Sequence, residues 1–98
     1  MVRIIRWPLP IQKQLANIYE YILKDSFQNA EKVKSEILFS TKRLSESPEI
    51  HPPDKYKKNN AGQFRAYQLH HYRISYHVTD KEITMTRIRH TKMNPKNY

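Results

Sequence analysis

The chain has 98 residues, a formal net charge of +9 and 38% hydrophobic residues, which fits one domain with a modest core. It has no cysteine, so disulfides and thiolate chemistry are excluded and nothing points to secretion. Its single glycine, Gly62, leaves no glycine-rich loop to cradle a phosphate, which removes nucleotide-binding motifs of that kind.

Val2 to Trp7 is β-rich and alternates loosely, so it reads as a short strand. Arginines recur too often across Met1 to Pro8 for a signal peptide, and the expected location is the cytoplasm. Pro8 and Pro10 end the strand, and Pro10 suits the first turn of a helix. Ile11, Leu15, Ile18, Tyr19 and Ile22 follow helical spacing, which predicts an amphipathic helix to about Lys24. Asp25 or Ser26 can cap a second helix by accepting the free amides of its first turn. Ala30, Val33, Ile37, Thr41 and Leu44 form its apolar stripe, and Ser47-Pro48 stops it. A turn this short makes the two helices an antiparallel hairpin.

Residues 48–63 hold three prolines, a basic patch (Lys55, Lys57, Lys58), Asn59-Asn60 and the lone glycine. That composition predicts a long loop, functional or mobile. Three strands follow at about 63–69, 72–78 and 82–90, joined by short turns at His70-His71 and Asp80-Lys81. In the middle strand Tyr72, Ile74, Tyr76 and Val78 point one way and Arg73, Ser75 and His77 the other. The last strand breaks parity between Met85 and Ile88. Either a bulge intervenes or both of its faces are buried. The expected fold is α+β, in the order β-α-α-β-β-β. The helical hairpin covers one face of a small antiparallel sheet and leaves the polar set on the other.

The surplus charge favours an anionic partner: nucleic acid, an acidic protein or a membrane surface. No apolar run approaches the roughly 20 residues of a membrane span. Five histidines invite a metal, but no pair has the i, i+4 spacing of a helical zinc site. No metal or cofactor is expected. A serine triad lacks a nucleophile-elbow motif.

From about Arg6 to Tyr98 the chain resembles the RelE/ParE superfamily, the toxin half of bacterial type II toxin–antitoxin pairs. Trp7, Leu15, Ile18, Tyr21-Ile22, Ala30, Leu44 and Pro48 are similar to its helical hairpin. Tyr72-Arg73-Ile74-Ser75-Tyr76-His77-Val78 is similar to its central strand, and Arg87-Ile88-Arg89-His90 to the close of its last one. The resemblance implies a cytoplasmic toxin silenced by a cognate antitoxin. ParE-like members poison DNA gyrase, the activity closer to this hairpin and strand ending. RelE-like members cleave messenger RNA on the ribosome. A third possibility is an inert relative that binds only its antitoxin.

Each candidate residue has a plain alternative. RNA cleavage needs a base, an acid and cations about one phosphate. On the nuclease reading Arg73 contacts that phosphate, since a guanidinium fork fits two phosphate oxygens. Otherwise it is a strand arginine paired with a neighbour or an antitoxin carboxylate. Arg65 joins it or is a surface charge. His90 is a general acid or a structural ring. Tyr98 stacks on a base or ends a frayed tail. By the resemblance, Asp54 falls near a loop-glutamate base, and Tyr67 replaces the second lysine of the family's lysine pair. Lys55, Lys57, Lys58, Arg87 and Arg89 contact phosphate or an acidic antitoxin, or are merely solvated.

Overall fold

The computed structural model describes residues 2–91, so Tyr98 lies outside the described residues. Strand β1 (Ile4–Arg6) is followed by helices α1 (Leu9–Leu23) and α2 (Phe27–Leu44), then by β2 (Phe64–Leu69), β3 (Tyr72–Val78) and β4 (Glu82–His90). Pro8 and Pro10 sit at the start of α1, where a missing amide hydrogen is no loss. Ser26, not Asp25, caps α2: its hydroxyl oxygen accepts from the Asn29 amide at 3.1 Å. A bond from the Tyr19 hydroxyl to the Glu31 carboxylate ties the two helices together.

The sheet order is β1-β4-β3-β2. The last three strands form the expected antiparallel meander, but β1 runs parallel to β4, so the sheet is mixed. The reason is topological. A helical hairpin, not a tight turn, separates β1 from the rest, and nothing in that connection imposes an antiparallel neighbour. The parity break in β4 is a bulge. Ser75 lies opposite Arg87 and Tyr76 opposite Met85, so Thr86 is the extra residue. Ile83, Met85 and Ile88 thereby all reach one face.

That face and the helical hairpin enclose the core. Ile37, Leu44, Ile74, Tyr76, Ile83 and Met85 are fully buried there, with Ala30, Val33 and Ile11 beside them. Each large side chain contributes on the order of 2 kcal/mol by leaving water. Among the described residues no helix is long and apolar enough to cross a membrane.

Candidate functional site

Residues directly opposite each other in adjacent strands project to the same side. Arg73 faces Gln68 and Arg89 across its two neighbours, and Ser75 faces Arg87. These side chains form the polar face predicted from the alternation in β3. It is not open to solvent at its centre. Ser75, Arg89 and Asp54 are buried there, because the segment after α2 folds back over them.

That segment is built around Asp54. Its carboxylate takes a bond from an Arg73 guanidinium nitrogen at 2.8 Å and another from the Tyr56 amide at 2.9 Å. Its own amide donates to the Phe64 carbonyl at 2.8 Å. Asn60 completes the staple: its side-chain nitrogen donates to the carbonyls of Phe64 (2.6 Å) and Asp54 (3.2 Å), and its oxygen accepts from the Gly62 and Phe64 amides. Gly62 at φ +104° turns the chain back into β2, a conformation that a side chain opposes. The loop expected over 48–63 is therefore pinned to the sheet. Tyr56 lies against the arginines it covers, its ring centre 4.8 Å from the Arg73 guanidinium and 5.9 Å from that of Arg89. Lys55 approaches the same ring and Lys57 that of Phe64, both at 5.2 Å. Lys58 is exposed.

Arg65 does not join Arg73. Its strand partner is Tyr76, so the two-residue alternation sends it to the helix side. There it donates to the carbonyls of Gly62 (2.9 Å) and His51 (2.7 Å), clamping both ends of the loop. His90 is opposite Tyr72, also on the helix side and at the other end of β3. Its ring meets Tyr72 edge-on at 5.4 Å and lies 6.2 Å from His71. Arg65 and His90 thus stand about 13 Å apart along the strand direction, and both are across the sheet from the Asp54–Arg73 pair. Of the described residues expected to act together, only Asp54 and Arg73 meet. Tyr56 and Asn60 were the residues hidden from sequence reasoning. One aromatic among lysines, and an asparagine two residues after them, carry no distinctive spacing.

Tyr67 is half-buried on the helix side of β2, sharing a bond of 2.6 Å with the Ser40 hydroxyl. Burial pushes its phenol up to about 12, with the Ser40 bond opposing. His51 stacks on this ring at 4.0 Å, and burial, with the Arg43 charge, lowers its pKa below 6.5. The folded state therefore prefers neutral His51. Its contribution to stability should be complete above the unfolded value of about 6.5 and should fall as pH drops from there toward the lower folded value. Urea unfolding at pH 7.5 and pH 5 checks this: the loss between them should be smaller in His51→Asn than in the parent.

Three further concavities open away from the arginine face. One, about 450 Å³, lies between the helices and is lined by Trp7, Leu15, Tyr19 and Leu38. A neighbour of about 620 Å³ shares Trp7 and Leu38 and adds Ile5 and Phe39. With Ile4 and Leu9 exposed nearby, Trp7 sits in an apolar strip of the kind that marks a protein contact. The third, about 610 Å³, lies between α1 and the ends of β3 and β4, lined by Gln14, Asn17, Ile18, Tyr21, Tyr72 and His90 among others.

The family model described as ParE toxin of type II toxin-antitoxin system, parDE, matches residues 5–95. No curated protein matches the chain.

Proposed function

We propose that this chain, which belongs to the ParE toxin family of type II toxin–antitoxin systems, acts in the cytoplasm by poisoning DNA gyrase and not by cutting RNA. Family membership brings a cognate antitoxin as partner. The observation that carries the choice of target is the division of the ionisable groups between two faces of the sheet. In-line attack of a 2′-hydroxyl on its phosphate needs a base, an acid and a cation around one phosphorus. Arg73 is engaged by Asp54 under the loop, while Arg65 and His90 lie across the sheet from it. The Asp54 carboxylate is already taken up by the Arg73 guanidinium at 2.8 Å and by the Tyr56 amide at 2.9 Å.

On this reading the basic surface serves association. Lys55, Lys57 and Lys58 raise the rate of encounter with an acidic partner, and the apolar strip around Trp7 supplies contact area for the antitoxin. The purified chain added to gyrase should block supercoiling, and its induction without antitoxin should leave double-strand DNA breaks. Normal supercoiling at saturating toxin would refute the gyrase reading, as would specific cleavage of messenger RNA on translating ribosomes.

A further inference from the structure

We propose that the antitoxin adds a strand to the free edge of β1, and that the segment it adds alternates an apolar residue with acidic ones. This rests on the toxin–antitoxin reading and is independent of the target.

The first argument is the contrast between the two edges of the sheet. An edge strand offers unpaired amides and carbonyls to any extended chain, and folds blunt such edges. The β2 edge is closed along its first half. The Asp54 amide donates to the Phe64 carbonyl at 2.8 Å and the Ala66 amide to the Pro52 carbonyl at 3.4 Å, so Pro53 bridges to Arg65. Pro53 itself faces outward and has no amide hydrogen to offer a further strand. The β1 edge is different. The Ile4 amide donates to the Lys81 carbonyl at 3.0 Å, on the β4 side. Successive residues turn their backbone groups to opposite sides, so the amide and carbonyl of Ile5 point away from β4. The Arg3 amide, on that same outer side, is taken by the Ser45 carbonyl at 2.9 Å. Nothing among the described residues takes the outer groups of Ile5.

The second argument is the side chains beside that edge. Ile5 shares the helix side with its partner Ile83 and lines the concavity of about 620 Å³ with Trp7, Leu38 and Phe39. Ile4 and Arg6 project to the other side, where Arg6 bonds Glu82. A residue laid opposite Ile5 therefore points to the apolar concavity, and its two neighbours point the other way, one of them beside Arg6. The Arg6 side chain remains 60% exposed, and a guanidinium has donors beyond the one Glu82 uses. An apolar side chain next to a carboxylate suits both sites.

The third argument identifies the occupant. Ile4 is 62% exposed along this edge and Phe39 57% exposed at the concavity. An apolar open edge invites aggregation, so it needs cover while the protein is stored. The stored form of a toxin of this family is its antitoxin complex, and the target is met only once the antitoxin has left. A second copy is opposed by charge, since each chain carries +9, whereas an acidic segment is attracted.

Hydrogen exchange tests the backbone pairing, using the full chain alone and with the protein encoded by the adjoining reading frame. With that protein free at about 100 times its dissociation constant, exchange at the Ile5 amide should slow about a hundredfold, while the Asp54 amide on the opposite edge keeps its rate. Phe39→Asp should weaken the complex at least about tenfold, with melting temperature and growth arrest retained, and Phe39→Leu should restore binding. Arg6→Gln should weaken binding and flatten its salt dependence. A complex that leaves Ile5 exchange unchanged overturns the proposal. So does full affinity in Phe39→Asp, or a loss of arrest in that variant with affinity intact, which would assign the surface to the target. Protection of Ile5 in the chain alone, rising with its concentration, overturns it in favour of a second copy. Arg6→Gln with unchanged affinity and salt dependence overturns the acidic assignment. A parent that forms no complex overturns the toxin–antitoxin reading, and this one with it.

Discussion

Asp54→Ala should destabilise the chain by about 3–5 kcal/mol, the penalty for removing one partner of a buried ion pair. The Arg73 side chain is only 17% exposed and that of Asp54 is fully enclosed, so water screens the pair poorly. The lost carboxylate also frees the Tyr56 amide that it accepted. Without it the loop is held chiefly by Asn60 and Arg65. For a domain of this length the melting temperature should drop by roughly 10–20 °C or more, read by thermal unfolding at neutral pH. Arg73→Ala should behave alike, because it removes the guanidinium that balances the same buried carboxylate. The double replacement Asp54→Leu with Arg73→Met should recover most of the loss, since a buried pair and an apolar pair of similar volume are close in free energy. A double variant no more stable than either single one would sink this account. There is a consequence for toxicity assays. Loss of growth arrest in Arg73→Ala reports a failed loop and not a missing catalytic cation. The double variant is the informative one, and it should remain toxic if gyrase is the target.

The sequence carried the elements and the faces of β3 because both are written in short periods. Ile11, Leu15, Ile18 and Ile22 repeat at helical spacing, and Tyr72, Ile74 and Tyr76 alternate, so each stripe names its buried side without knowledge of the partner. The parallel pairing of β1 with β4 has no such signature. It brings Ile4 opposite Glu82, 78 positions later, and only the closed fold fixes it. The candidate site was legible for single residues and not for their assembly. Arg73 could be placed on the polar face from β3 alone. Arg65 could not be placed relative to it, because that needs the β2–β3 register, and a slip of one residue moves a side chain to the other face. The observed pairing of Arg65 with Tyr76 decides the matter. Asp54 is a candidate only through the family resemblance, which puts it near a loop-glutamate base, and in the fold it reaches Arg73 as a buried ion-pair partner.

Tyr76→Ala is the second large effect, and it links core, loop and antitoxin. The ring is fully buried, meets Tyr67 edge-on at 6.1 Å and His51 at 6.4 Å, and its hydroxyl donates to the Pro48 carbonyl at 2.7 Å. Burial raises its pKa, so the phenol stays protonated and keeps donating. Truncation to alanine should cost about 3–5 kcal/mol, the usual figure for a large aromatic lost from a core. Tyr76→Phe keeps the volume and removes only the donor, leaving the Pro48 carbonyl short of a partner at about 1–3 kcal/mol. The ratio of the two separates packing from the hydrogen bond that roots the loop. A domain of this size has only about 5–15 kcal/mol in reserve, so Tyr76→Ala should be largely unfolded when warmed or made alone at low concentration. Its target and antitoxin surfaces are otherwise untouched. An antitoxin present at about 100 times its dissociation constant adds about 2.7 kcal/mol to the folded state. Co-expression should therefore restore folded Tyr76→Ala, seen as recovery of a native-like circular dichroism spectrum in the purified complex. Failure of the complex to form would mean that Tyr76 shapes the antitoxin surface itself, and that the core and the interface are one structure.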